Sequence, residues 1–325
     1  MQEKVLINGM TISPINRCNL RCAMCNCWNN EINLHEIEAP FFEAFIDKLK
    51  PFMSESFEIG FTGGEPLLFK DLIKVLTYLT QNKIRKHIVT NGYLLNEKKV
   101  ETLKKAGIDR VIVSLDSHLP FIHDKNRGVK GAFERAVSGI KLLKQYEIPV
   151  DILSILMNDT ILKAPDMVAW VFSELPVERI QFNFIMHPLS TDFDEAWPEG
   201  KFSKLWPKDK EGSLAALDLL IAKKLIMGRR IINSAAQFIA FKNYFLNPAV
   251  FIKKGECTAY KNLLIHPHGV VTFCQKLETA AKQVNILDNI TPEEIFYSEN
   301  FLKLRQVIKK CDLNCHQLIN CNFEE

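Results

Sequence analysis

The stretch SPINRCNLRCAMCNCWNN, residues 13–30, sets four cysteines, Cys18, Cys22, Cys25 and Cys27, inside ten positions. Taken alone it can be a set of disulfide partners, a zinc knot, a run of buried small residues or the seat of a redox cluster. The first three follow the spacing C-x3-C-x2-C. Zinc sites usually take ligands in pairs two to four residues apart, with a second pair elsewhere closing a tetrahedron. A local set of three thiolates suits a cubane iron–sulfur cluster, whose irons bind cysteine sulfur, and leaves one iron open.

The rest of the chain narrows the choice. It has 325 residues, 47% hydrophobic and 24% charged, enough for one large domain and a smaller one with a core that needs no staples. A net charge of +3 is too mild for a protein that tracks a nucleic-acid backbone. The opening MQEKVLINGM offers no signal-peptide core, and no uncharged run reaches the roughly 18 residues of a membrane span. These features predict a cytoplasmic protein with neither nucleic acid nor membrane as partner. In a reducing compartment nine cysteines, an odd number, point to metal or catalysis rather than to disulfides.

Short runs rich in Ile, Val and Phe alternate with amphipathic helical patterns from residue 10 to about 190. Strands are predicted at 10–15, 57–61, 87–90, 110–115, 150–156 and 180–185. Helices are predicted at 40–50, 70–81, 96–106, 131–145 and 163–174. Several strands read as continuous apolar runs, as expected when both faces of a parallel sheet are covered. Six such units form an α/β domain, either an open doubly wound sheet or a barrel. The chemically suggestive residues follow the strands: the Cys18 loop after the first, residues 62–66 (TGGEP) after the second, Asn91-Gly92 after the third, Asp116-Ser117 after the fourth. Function gathers at that rim in barrel folds.

C-x3-C-x2-C directly after the first strand of a β/α domain resembles the radical S-adenosylmethionine (radical SAM) superfamily. NRCNLRCAMC around the cysteines, TGGEPLL at 62–68, VTNGYLL at 89–95, VSLDS at 113–117 and HDKNRGVKGAFERAVSGIKLL at 123–143 carry the resemblance over residues 10 to about 190. It implies a partial (β/α)6 TIM-type barrel. It also implies a [4Fe–4S] cluster on Cys18, Cys22 and Cys25, with S-adenosylmethionine (SAM) chelating the open iron. Backbone around Gly63, Gly64 and Glu65 would receive the SAM amino group. Ser114 and Asp116 would lie by the ribose and methionine part, and Arg127 would fork onto the carboxylate. Met24 stands where the family commonly has an aromatic residue, and an apolar, adaptable side chain can still pack beside an adenine. Cys27 has no role in the family pattern and reads as a small buried residue, with a hydrogen-donating thiol as the alternative.

Beyond an irregular stretch at about 190–212 come helical patterns at 212–226 and 235–246, then two strands flanking Pro267-His268-Gly269, a hairpin signature. Thr291 to Glu294 is a capping box that opens a helix predicted over 292–309. Cys257, Cys274, Cys311, Cys315 and Cys321 surround these elements in a spacing that resembles the SPASM and twitch extensions of radical SAM enzymes. The implied architecture is a core domain over 1–210 and a small α+β cluster-binding extension over 211–325. The extension would hold one auxiliary [4Fe–4S] cluster on Cys257, Cys274, Cys311 and Cys315, with Cys321 as alternate fourth ligand. Zinc on four of these cysteines is the competing assignment, with His266, His268 and His316 nearby.

The resemblance implies reductive cleavage of SAM and hydrogen-atom abstraction from a substrate, with an electron donor such as flavodoxin or ferredoxin. The cluster loop begins near residue 11, leaving no room for the leader-binding domain that peptide modifiers of this group often carry. A small-molecule substrate, oxidised or epimerised, is therefore expected ahead of a peptide or protein. Tyr260 and His187 are positional candidates for substrate contact. A non-catalytic iron–sulfur electron carrier would explain the cysteines equally well, but not Gly63 to Pro66.

Overall fold

The computed structural model describes residues 5–29, 36–188, 191, 196–248, 257–274, 284–288, 290–311 and 320. Six strands, β1 (Ile7–Ile12), β2 (Met53–Phe61), β3 (Arg85–Thr90), β4 (Arg110–Ser114), β5 (Val150–Leu156) and β6 (Arg179–Phe184), lie side by side in chain order, all parallel. Parallel neighbours cannot be joined by a tight turn and need a crossover. Helices α1 (Ala39–Leu49), α2 (Leu72–Gln81), α3 (Glu97–Lys105), α4 (Pro120–Arg127), α5 (Ala132–Gln145) and α6 (Ala164–Glu174) supply it. The sheet does not close: β6 is one edge, and beyond β1 the order continues to three further strands. This is the partial barrel that the sequence implied.

The strands hold together because both faces are covered. Ile59, Phe61, Ile88, Val111, Val113, Ile152, Ile180 and Phe182 are fully enclosed, and burial of each such side chain is worth roughly 1.5–3 kcal/mol over exposure. Above β6 an aromatic cluster fills the space between sheet and C-terminal helices: Phe184 meets Trp206, Phe241 and Tyr244 at centroid separations of 5.6–5.8 Å.

The later part of the chain extends this sheet. After α7 (Lys210–Met227) and α8 (Ala235–Leu246), β7 (Asn262–Ile265) pairs parallel to β1 on the side away from β2. β8 (Val270–Thr272) and β9 (Val284–Asn285) follow antiparallel. The hairpin expected at Pro267-His268-Gly269 joins β7 to β8, and the capping box at Thr291 and Glu294 forms with both bonds in place. No helix among the described residues is long and apolar enough to cross a membrane.

Three elements depart from the sequence reading. β1 covers residues 7–12 rather than 10–15; the chain leaves the sheet at Ser13 and Pro14, and proline brings no N–H to a ladder. The helix predicted over 292–309 is two, α9 (Pro292–Tyr297) and α10 (Glu299–Lys309). Ser298 takes extended dihedrals between them and accepts the Phe301 N–H at 3.4 Å, capping the second. Helix α4 was not expected; it starts on Pro120 and stops at Gly128 in the left-handed region.

Candidate active site

The C-terminal ends of β1 to β6 surround a cavity of about 240 Å³, β5 contributing Ile155. Cys18, Cys22, Cys25 and Cys27 all line it, with Met24 and Trp28, from the loop after β1. Gly63, Gly64 and Glu65 line it after β2, Thr90 and Asn91 after β3, Ser114 at the end of β4, Arg127 at the end of α4, and residues 183–187 with Asn320 beyond β6.

The cysteine loop and the Gly63–Gly64 loop are clamped together through backbone. The amide of Gly64 donates to the Ile15 carbonyl at 2.9 Å and that of Glu65 to the Arg17 carbonyl at 2.8 Å. A Cβ on Gly64 would stand 2.1 Å from the Arg17 oxygen, and one on Gly63, whose φ is +101°, 2.8 Å from the Ile15 oxygen. Only glycine allows this approach. With the amides of Gly64 and Glu65 spent on the cysteine loop, an ammonium group, a donor only, would have to be met by carbonyls.

Glu65 does not reach into the cavity as a free acid. Its carboxylate accepts the Leu67 and Asn91 amides at 3.1 and 2.9 Å and the Thr90 hydroxyl at 2.6 Å. These bonds tie the loop after β2 to the end of β3. Burial nevertheless pushes its pKa above the ordinary glutamate value, against the three donors. Asn91, fixed in this way, turns its amide towards the Cys18 sulfur at 3.8 Å and the Asn19 side chain at 2.9 Å.

On the far side of the cysteine loop, the Arg21 and Ala23 amides donate to the carbonyls of Arg127 and Asn126 at 3.0 and 2.8 Å, docking the loop on the last turn of α4. Arg127 is buried, and its Nε and Nη2 fork onto the two oxygens of Asp116 at 2.7 Å each. The fork expected to meet a SAM carboxylate is engaged by Asp116, which stands behind Arg127 and outside the cavity lining. Nη1 is left to approach the Cys22 sulfur at 3.9 Å. Burial works against the Arg127 charge, but Asp116 and Cys22 more than offset it and hold the guanidinium protonated. Asp116 is itself held by the Ile155 amide at 3.3 Å, and its own amide faces His123 Nδ1 at 3.2 Å. Burial takes His123 down to about 4, so it is neutral and accepts.

Cys18, Cys22, Cys25 and Cys27 form no disulfide and are half-buried. Burial pushes Cys18 and Cys22 up, Cys22 being eased by Arg127, and Cys25 is raised by a hydrogen bond with Cys27 and by burial. Among the described residues no three acidic, His or Cys side chains converge as on one metal ion. A cluster of several irons takes its thiolates on different metal atoms. Three thiols on one cavity wall, beside a glycine cradle that admits no Cβ, form a donor set that fits such a cluster.

The second group of cysteines stands elsewhere. β7 is parallel to β1, so its last residue, Ile265, reaches the rim, where its carbonyl accepts the Ser13 amide at 2.8 Å. Cys257 precedes β7 and Cys274 follows the antiparallel β8, so both leave the hairpin at its open end. That end lies opposite the rim, on the order of 10 Å of strand rise away. Cys311 follows α10, whose Arg305 and Lys309 stack over Tyr260 just before β7. Cys315, Cys321 and His316 lie outside the described residues. Tyr260 is buried at that far end and is absent from the cavity lining, whereas His187 lines the cavity between the rings of Trp197 and Phe202. Asn183 and Asn320 also line it without having been singled out in the sequence; only their position at and beyond a strand end could have indicated them.

Comparison with known proteins agrees with this geometry. An AdoMet-dependent heme synthase of Methanosarcina barkeri is 36% identical over 140 residues, 42% of this chain and 38% of the relative. The Fe-coproporphyrin III synthase of the same organism is 28% identical over 255 residues, 78% of this chain and 59% of the relative. The chain thus spans well under two thirds of the length of the curated relatives it matches. Among solved structures, Streptococcus suis SuiB bound to S-adenosylmethionine superposes with a TM-score of 0.70 at 15% identity, over 92% of this chain and 68% of that one. anSMEcpe with bound AdoMet and a peptide does so at 0.70 and 20%, over 96% of this chain and 87% of that one; at such identities the likeness is one of fold. The family model for the radical SAM superfamily matches residues 12–170, from the end of β1 into α6, and this chain carries a radical SAM domain.

Proposed function

We propose that the protein is a radical SAM enzyme acting on a small molecule, with Cys18, Cys22 and Cys25 holding a [4Fe–4S] cluster and the adjoining cavity holding SAM. The observation that carries the reading is the backbone clamp between the cysteine loop and Gly63–Gly64, which an electron carrier would not need. When bound, cluster and SAM supply a radical able to take a hydrogen atom from the substrate. The chain's own residues bind and orient. Carbonyls of the Gly63–Gly64 loop receive the SAM ammonium, Ser114 faces the ribose side, and Met24 supplies an apolar wall. Asp116 aims Arg127, whose charge favours the thiolate of Cys22 and a nearby carboxylate. The loops docked on α4 and β3 keep water from the reacting centre.

An auxiliary [4Fe–4S] cluster on Cys257, Cys274, Cys311 and Cys315 or Cys321 belongs to the same reading. It would stand at the far end of the β7–β8 hairpin, where it can take an electron from a substrate radical formed within the barrel. The residues from 211 onward would then be the SPASM- or twitch-like extension. A small substrate is supported by relatives named for heme and coproporphyrin synthesis. A peptide substrate is the second reading, supported by the fold shared with SuiB, which has been crystallised with its precursor peptide. We take the reductant to be a small one-electron carrier such as flavodoxin or ferredoxin, and the setting to be cytoplasmic.

Anoxic reconstitution tests the proposal. With SAM and dithionite the protein should form 5′-deoxyadenosine, and C18A, C22A and C25A should each abolish it while C27A does not. Iron should approach about eight per chain; about four with stoichiometric zinc would remove the auxiliary cluster, and absence of 5′-deoxyadenosine from fully loaded protein would remove the enzyme.

A further inference from the structure

β6 is an edge strand of the sheet, joined on its outer side among the described residues by one isolated bridge, Ile180 to Ile231, and an edge presents a row of N–H and C=O groups that must be met. Along a strand these point alternately to one neighbour and the other. The inward set pairs with β5, ending with the Ile185 amide on the Leu156 carbonyl at 2.9 Å. The outward set belongs to Ile180, Phe182 and Phe184; the first two are met by the consecutive residues Ile232 and Asn233, the third by Asn320. The Ile180 carbonyl accepts the Ile232 amide at 2.8 Å. Phe182 gives its N–H to Asn233 Oδ1 and takes Asn233 Nδ2 on its carbonyl, both at 2.7 Å. Phe184 does the same with Asn320, again at 2.7 Å twice.

A carboxamide carries one acceptor and a donor group side by side, as a strand residue does. Asn233 and Asn320 therefore act as one-residue strands. They differ in what stands beside them. Asn233 is buried beside the edge of β6, 51 positions from its partner, and is not part of the cavity lining. Asn320 comes from 136 positions away, lines the cavity, and grips the last residue of β6. From there the chain runs directly into Ile185, Met186 and His187, the part of the cavity wall that follows β6.

We propose that Asn320 is a positioning residue of the site: its carboxamide closes the outer edge of β6 at Phe184 and thereby fixes the wall at residues 185–187. Asn320 is on this account a structural part of the cavity. The claim concerns the wall and stands apart from the SAM reading; only the turnover arm of its test rests on that reading.

The test is residue-resolved amide hydrogen exchange on the full chain, comparing N320A, N320D and N233A. N320A should speed exchange about tenfold or more at Phe184 and at Ile185, whose amide is bonded to the Leu156 carbonyl, and leave Phe182 protected. N320D, which still accepts the Phe184 N–H but sets an oxygen against the Phe184 carbonyl, should speed exchange there by less than N320A. N233A should expose Phe182 and leave 184–187 unchanged. In cluster-loaded protein, N320A should also change the rate of 5′-deoxyadenosine formation without substrate at least fivefold, with N233A within twofold of wild type. Continued protection of Phe184 in N320A overturns the proposal. So does exposure of Phe184 with Ile185 unmoved, or equal turnover effects in N320A and N233A. Wild-type protein that forms no 5′-deoxyadenosine but exchanges as expected would overturn the SAM reading and support the wall.

Discussion

Gly64 and Arg17 approach so closely that a single methyl group at Gly64 would lie 2.1 Å from the Arg17 carbonyl oxygen. The obstacle is backbone on both sides, so no rotamer change relieves it. G64A should therefore separate the loop after β2 from the cysteine loop, break the Glu65-to-Arg17 amide bond and cost about 3 kcal/mol, the upper part of the overpacking range. Thermal unfolding measures the cost, and iron content after anoxic reconstitution should fall by about half if the N-terminal cluster alone is lost. Wild-type stability in G64A would mean that the two loops are not clamped.

Asp116 and Arg127 form a buried ion pair, their side chains 0% and 9% exposed. Removing one partner strands the other charge in low dielectric. D116A should cost about 3–5 kcal/mol, whereas replacing both with apolar residues, as in D116L/R127M, should recover most of that loss. Urea unfolding of the single and double variants decides it. A double variant no more stable than D116A would show that Arg127 is held chiefly by something other than Asp116.

Glu65 accepts three hydrogen bonds, two of them from backbone amides that can only donate. Glutamine is nearly isosteric, but its amide nitrogen must face either Asn91 N–H or the Leu67 and Thr90 donors. E65Q should cost about 1–3 kcal/mol, the usual penalty for an unsatisfied buried group. T90V, which removes one donor to Glu65 and also the acceptor of the Gly92 amide at 3.1 Å, should cost about as much. Paired unfolding curves for E65Q and T90V test this; wild-type stability in E65Q would show that Glu65 is not held as an acceptor of all three.

The strands were legible where both faces are buried, because continuous apolar runs such as those of β4 and β5 have no competing reading. β1 was misplaced by three residues because Ile15 is as apolar as the strand before it and is buried in the cysteine loop. Helix α4 was missed because the side chains it buries include His123, Asn126 and Arg127. A helix that turns polar groups towards a site has no apolar stripe to find, and only Pro120 and Gly128 marked its ends. The cysteine and glycine motifs were legible one by one. What sequence could not supply was the contacts between distant residues: Arg127 locked to Asp116, Glu65 locked to the end of β3, and Asn320 on β6.

Asp71 gives a prediction in pH. It stands just before α2, but its carboxylate accepts the Ala39 amide at 3.1 Å and so caps α1, whose own N-cap residue, Glu38, makes no side-chain bond. The Lys74 ammonium at 2.8 Å and that amide hold Asp71 below the ordinary aspartate value. A carboxylate whose pKa is lowered by folding stabilises the native state above its unfolded value, about 3.9, and loses that contribution as pH falls through the folded one. D71A should therefore be less stable than wild type by about 1 kcal/mol at neutral pH, the usual worth of a cap. The gap should stay level down to about pH 5 and narrow below about pH 4 as wild-type Asp71 is protonated. Unfolding midpoints of both proteins between pH 7 and pH 3 measure the gap. A gap that widens in acid would show that the aspartate is not held as a carboxylate, and the link between α1 and α2 would then need another cause.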